Sequence, residues 1–284
     1  MSTGTLANSD LRETYLTLLE RSLMGTVHQA TFSVVGSGAT PSWRQPLRRA
    51  LRISQTIGAS HGLELLAHVI PGAVLEEGRA LPLVGETMVG QARLNNVRAC
   101  LETVVDDGIE GDFIETGVWR GGCSIYATAV LQTARTNSKR VFVADSFRGL
   151  PDADFARYPD ESRDGMSDMT RLAVTRSDVE ENFRRYGVPL DRVVFVEGWF
   201  RDTLPTLSDE RWSVIRLDGD MYESTMDGLS ALYPRLSVGG FAIIDDYWTM
   251  DSCRAAVCAY RSAHDIEDQL IRVDHSCAMW RRSG

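Results

Sequence analysis

The sequence predicts an α/β protein built on a mostly parallel sheet, and three observations carry that expectation. From residue 86 onward, helical stretches alternate with short apolar runs, the signature of βαβ units. The runs "GDFIETG", "RVFVADS", "RVVFVEGW", "WSVIRLDGD" and "GGFAIIDDY" are each apolar on both faces, as strands covered by helices on both sides must be. Finally, "QLIRVD" and "CAMWRR" stand too close together for a crossover helix, so they should form a hairpin that gives the sheet an antiparallel edge.

Residues 9–27 place Leu11, Tyr15, Leu18, Leu19 and Leu23 near helical spacing, and "SVVGSGATPSW" then breaks the pattern. Residues 43–83, with Pro46, Pro71 and Pro82, suit short helices and connections better than a second core. A helical, lid-like segment is therefore expected over 1–85 and the α/β domain over 86–284. A helix at about 89–106 leads into the first strand, and others are expected at 121–135, 177–186, 224–235 and 251–264. Ser177 opens the cap-like "SDVE", and Gly187 stops that helix. The long polar stretch "PDADFARYPDESRDGMSDMTR" is expected to form a lid.

Of the 284 residues 43% are hydrophobic, enough for a large core, and the formal charge of −9 disfavours nonspecific contact with nucleic acid or an anionic membrane. A small-molecule partner is the expectation. The five cysteines are scattered without metal-site spacing and read as reduced thiols of a cytoplasmic protein. The first residues lack the basic-then-apolar order of a signal peptide, and no apolar run is long enough to span a bilayer. His28, His61 and His68 fall in the N-terminal part and are candidates for substrate contact or for packing.

The stretch "FIETGVWRGGCS" runs from strand through turn to helix start, and Gly117, Gly121 and Gly122 would let backbone approach a ligand there. Trp119 occupies the second glycine position of a dinucleotide motif and would crowd a pyrophosphate, which Glu115 would also repel. A positively charged cofactor without phosphates suits this loop better; a tight turn without a ligand is the alternative. Asp145, ending the next strand, could accept both hydroxyls of a ribose or cap the following segment. Trp199 and Phe200 could wall an adenine or fill the core.

Asp218, Asp220, Asp245 and Asp246 fall at the carboxyl ends of two strands, where open parallel sheets bind ligands. Like charges crowded there call for a counter-ion, and carboxylates without His or Cys nearby suit Mg²⁺. Asp218, Asp245 and Asp246 are assigned to the metal, leaving Asp220 as candidate general base. Solvated turn and cap residues are the alternative.

Together "ETGVWRGG", "VADSF", "GWFRDTLP", "RLDGDMYESTMD", "YPRLSVGGFAIIDDY" and "WRRS" resemble the macrocin O-methyltransferase family, class I sugar O-methyltransferases of antibiotic biosynthesis that use S-adenosylmethionine and magnesium. The likeness runs from about Glu86 to Gly284, and "YLTLLERSLMGTV" resembles the family's N-terminal helix. The resemblance implies a Rossmann-like, seven-stranded class I methyltransferase sheet. It carries S-adenosylmethionine onto Glu115, Thr116, Gly117, Val118 and Trp119, onto Asp145 and Ser146, and onto Gly198 and Trp199, with "ETMVG", including Thr87 and Met88, closing over it. It carries the metal onto Asp218, Asp245 and Asp246 and the base onto Asp220. The implied reaction methylates a deoxysugar hydroxyl on a glycosylated natural product or a nucleotide sugar, and a homo-oligomer is expected. A catechol-type O-methyltransferase, a non-catalytic cofactor-binding protein and a nicotinamide-dependent oxidoreductase are the rivals.

Overall fold

The structure is a computed structural model that describes residues 3–27, 32–34, 66–69, 71–134, 139–151 and 172–284. His28, His61 and all but the first residue of the stretch read as a lid lie outside the described residues. The chain divides into two units, Met1–Leu94 and Asn95–Gly284. Among the described residues, no helix is long and apolar enough to cross a membrane.

In the first unit, α1 (Thr3–Leu23) starts six residues ahead of the expected 9, with no proline to stop it. It ends in a Schellman cap: Gly25, at φ +75°, donates to Ser22 O, and Thr26 N donates to Arg21 O. β1 (Phe32–Val34) and β2 (Leu66–Val69) pair antiparallel, so this region is not helices and connections alone. Strands this short offer too few positions for alternation to show in the sequence. After α2 (Gly72–Glu76), the chain returns to α1, where Leu23 O accepts from Glu86 N at 2.7 Å and Thr87 N at 3.2 Å. α3 (Gln91–Asp106) follows.

The second unit holds β3 (Asp112–Thr116), α4 (Gly122–Thr133), β4 (Val141–Asp145), α5 (Arg176–Arg185), β5 (Val193–Glu197), α6 (Phe200–Thr203), β6 (Trp212–Leu217), α7 (Tyr222–Leu232), β7 (Leu236–Ile244), α8 (Asp251–Ala263), β8 (Ile271–Arg272) and β9 (Ala278–Arg281). Its seven strands lie in the order β5-β4-β3-β6-β7-β9-β8. The first five are parallel and β9 is antiparallel to both neighbours, as the closing hairpin predicts.

β3 and β6 are buried at every position, but β5 is only partly so. It is the sheet's edge, which corrects the expectation that all five runs are covered on both faces. β7 begins before "GGFAII" because Gly239, at φ +84°, absorbs a bulge in the register with β6. α5 is capped by Thr175 rather than Ser177: Thr175 Oγ1 accepts from Asp178 N, and the Asp178 carboxylate accepts from Thr175 N, both at 3.2 Å. Thr-x-x-Asp thus prevails over the equally regular Ser-x-x-Glu two residues on.

The core of this unit centres on Trp212, whose ring meets Phe142 edge-on at 4.9 Å, and on Trp280, whose Nε1 donates to Tyr233 Oη at 3.2 Å. At the amino edge of the sheet the buried Lys139 donates to Ile109 O at 2.6 Å and Gly111 O at 2.7 Å. Burial lowers its pKa, and the carbonyls compensate the charge.

Candidate active site

The strand order reverses between β3 and β6, so the connections leaving their carboxyl ends diverge and open a crevice. The two ends meet there. Asp218 N donates to Thr116 O at 2.9 Å, and an ideal Cβ on Gly117 would lie 1.7 Å from Asp218 O. Gly117, at φ +80°, therefore has to be glycine twice over, for its dihedral and for the approach.

Beyond it, Trp119 holds φ +49°, an outlier for a bulky residue. The residue is only 9% exposed and its ring lies under the Arg120 guanidinium at 4.4 Å, so it packs rather than projects. Gly121, at φ +82°, turns the chain into α4, where an ideal Cβ would lie 2.6 Å from Val179 Cγ1.

Asp145 closes this loop from β4. Its Oδ2 accepts from Val118 N and its Oδ1 from Phe147 N, both at 2.8 Å. Burial pushes its pKa up, against the lowering by these amides. The carboxylate thus builds the loop, with the Trp119 amide also favouring its charged form. The Ser146 hydroxyl is spent on its own turn, donating to Gly149 O at 2.7 Å and accepting from Arg148 N at 3.0 Å. Gly198, at φ +142°, donates to Asp145 O, and Trp199 caps the short α6 and is half-buried. Thr116 is buried. Thr87 and Met88 belong to the first unit, where Thr87 Oγ1 accepts from Val89 N at 3.0 Å.

Sequence reasoning missed the residue that organises the acidic group. Arg216 on β6 is wholly buried, and its Nη1 donates to Glu115 Oε1 at 2.6 Å and Asp218 Oδ2 at 2.9 Å, while Nη2 donates to Asp245 Oδ1. Burial opposes its charge, yet Asp245, Asp218 and Glu115 hold its pKa well above the usual value. Ser124 Oγ on α4 donates to Glu115 Oε2. Glu115 is 1% exposed and paired with Arg216 and Ser124. Burial pushes its pKa up to about 7, with Arg216 and Ser124 pulling down.

This changes the expected grouping of the aspartates. Oxygens of Asp218, Asp220 and Asp246 lie within 4.8 Å of one another, whereas Asp245, 3% exposed, turns to Arg216. The expected trio and the observed one share Asp218 and Asp246. Asp220 holds φ +58°, a left-handed conformation aspartate tolerates and one that clusters at functional sites. A group of carboxylate oxygens without nitrogen or sulfur fits a hard divalent cation.

A family profile described as macrocin O-methyltransferase matches residues 12–282. Over 207 residues, 72% of this chain and 79% of the relative, the chain is 48% identical to 8-demethyl-8-(2,3-dimethoxy-alpha-L-rhamnosyl)-tetracenomycin-C 4'-O-methyltransferase of Streptomyces olivaceus. It is 44% identical to mycinamicin III 3''-O-methyltransferase of Micromonospora griseorubida over 211 residues, 73% of this chain and 83% of that one. Among solved structures, the O-methyltransferase NovP aligns with a TM-score of 0.77 and 35% identity, over 96% of this chain and all of that one.

Proposed function

The chain belongs to the macrocin O-methyltransferase family, and from that premise we propose that it transfers the methyl group of S-adenosylmethionine to a hydroxyl of a deoxysugar in secondary-metabolite biosynthesis. The observation that carries the reading is the group of Asp218, Asp220 and Asp246 at the switch point of a methyltransferase sheet. The names of these two relatives describe methylation of an oxygen, one of them on a rhamnosyl-bearing substrate.

Asp218 and Asp246 would hold a divalent cation, with Asp220 beside them. When bound, Mg²⁺ supplies Lewis acidity that lowers the pKa of an acceptor hydroxyl. Asp220 would take the proton of the acceptor hydroxyl on a carboxylate oxygen, and S-adenosylmethionine would supply the methyl group and leave as the neutral sulfide. Asp145 would accept from the ribose hydroxyls of the cofactor, and the Gly117–Gly121 loop would let backbone lie against it. Trp199 walls its adenine. Asp245, the third aspartate of the expected metal set, accepts from Arg216.

A second copy of the chain is the partner we expect, and the exposed stripe of Leu11, Tyr15 and Leu18 on α1 is the apolar face it would cover. Sedimentation of the chain beside Leu18→Glu checks this: a lighter species only in the variant supports it, and an unmodified monomer removes it.

The test of the reaction is incubation with methyl-labelled S-adenosylmethionine, with and without Mg²⁺, against rhamnosyl-bearing acceptors and simple catechols. Label on the sugar that requires Mg²⁺ supports the reading. Label on catechols alone would move the enzyme to aromatic diols, and cofactor binding without transfer to any acceptor would leave a binding protein.

A further inference from the structure

We propose that Trp248 is a specificity-determining residue for the acceptor: its exposed indole, backed by Arg272, is a shelf for the apolar C–H face of the deoxysugar ring. The inference rests on the reaction reading above. Across the sheet, the glycine loop and Asp145 follow β3 and β4, the acidic group follows β6 and β7, and the β8–β9 hairpin lies beyond. In a methyl transfer the attacking oxygen meets the carbon on the side opposite the departing sulfur. A cofactor seated over β3 and β4 therefore leaves the sugar ring on the far side of the acidic group, over β7 and β9.

Trp248 stands on that side. It follows Asp246 of the acidic group by two residues, in a turn where Thr249 N and Met250 N donate to Asp246 O at 3.2 and 2.9 Å. β9 pairs with β7 through Ala278 and Ile244, so the residues before Ala278 flank those after Ile244. Ser276 ties the two together: its Oγ donates to Asp245 O at 2.8 Å, and its carbonyl accepts from Trp248 N, also at 2.8 Å. Asp274 Oδ1 holds the hairpin turn in its place, accepting from Ser276 N at 2.8 Å and Cys277 N at 2.7 Å.

Trp119, Trp212 and Trp280 are buried, whereas Trp248 is 37% exposed. Its ring is nonetheless fixed. The Arg272 guanidinium lies over it at 5.0 Å and is itself held by Nε donating to Asp274 O at 2.8 Å, and Tyr247 meets it at 4.8 Å and 83°. A stiff, flat side chain already set in position loses little entropy when a ligand packs on it. A deoxysugar, with fewer hydroxyls than a common hexose, has the larger C–H surface to offer. Those C–H bonds carry partial positive charge, which the negative face of an aromatic ring attracts. The sugar uses the indole surface that Arg272 leaves open.

The experiment is calorimetric titration with 4-nitrophenyl α-L-rhamnoside of the unmodified chain, Trp248→Phe and Trp248→Ala, each saturated with S-adenosylhomocysteine and MgCl2. Trp248→Ala should bind the rhamnoside about 10-fold more weakly and Trp248→Phe within about threefold of the unmodified chain, with S-adenosylhomocysteine affinity kept in both. Equal rhamnoside affinity in all three overturns the proposal, and so does no binding to the unmodified chain. A parallel loss of rhamnoside and S-adenosylhomocysteine in Trp248→Ala also overturns it, because it marks a structural role. Should Trp248→Ala fail to fold, Trp248→Leu, apolar but without a flat ring, takes its place with the same expected loss, and equal affinity again overturns the proposal. Label transferred to a rhamnosyl acceptor beside an unaffected Trp248→Ala would sink this inference and keep the reaction. Transfer to no sugar at all would sink the reaction reading and this inference with it.

Discussion

The carbonyl oxygen of Asp218 occupies the space where a side chain on Gly117 would begin, 1.7 Å from an ideal Cβ. The glycine loop and the acidic group are therefore one construction, and a change on β3 is felt at the end of β6. Gly117→Ala adds both the clash and a left-handed alanine, and should cost about 2 kcal/mol or more in urea unfolding. It should also weaken Mg²⁺ and S-adenosylmethionine together. Unchanged stability would mean that β6 yields freely at Asp218.

Asp220→Asn should lower kcat by at least about 100-fold, the ordinary share of a general base, with cofactor and Mg²⁺ affinity kept. Asp246→Asn should instead lose Mg²⁺ affinity. Loss of Mg²⁺ binding in Asp220→Asn at undiminished kcat under saturating Mg²⁺ would move Asp220 from base to ligand.

Glu115 gives the protein a pH dependence. Its folded pKa of about 7, raised chiefly by burial, exceeds that of the unfolded chain, so the native state holds the extra proton. The stabilisation is present below the unfolded value near 4.3 and is lost as pH rises through 7, on the order of 3 kcal/mol in all. Glu115→Gln, which cannot ionise, should flatten that decline in denaturant midpoints taken between about pH 4.5 and 7.5. An unaltered profile would show that Arg216 keeps the carboxylate charged throughout.

At the opposite edge, Lys139→Met strips the donor from Ile109 O and Gly111 O. Each carbonyl left buried costs about 1–3 kcal/mol, so thermal unfolding should fall by several degrees. With the acidic group at the other end of the strands, kcat at a permissive temperature should hold. A fall in kcat without a fall in stability would contradict this division of labour.

The sheet was legible because strand-length apolar runs and a hairpin too tight for a helix leave few alternatives, and the five runs and the two hairpin strands join in one seven-stranded sheet. The four aspartates were legible for the same reason, as polar residues where apolar runs stop. Arg216 was not, because a single charge inside "WSVIRLDGD" reads as an interruption until Glu115, 101 residues away in sequence, is seen to meet it. The absence of covering layers at an edge, which no single run can announce, misjudged β5. Thr175 was missed for a local reason: two overlapping capping patterns compete, and only geometry chooses between them.

β9 comes last in chain order among the seven strands, yet it sits inside the sheet between β7 and β8. During synthesis on the ribosome, β7 would emerge with one flank of amides and carbonyls open until residue 281 has cleared the exit tunnel. For that interval the nascent chain offers a sticky edge to its neighbours on a polysome, so the yield of active protein should depend on how quickly translation proceeds from residue 245 to 281.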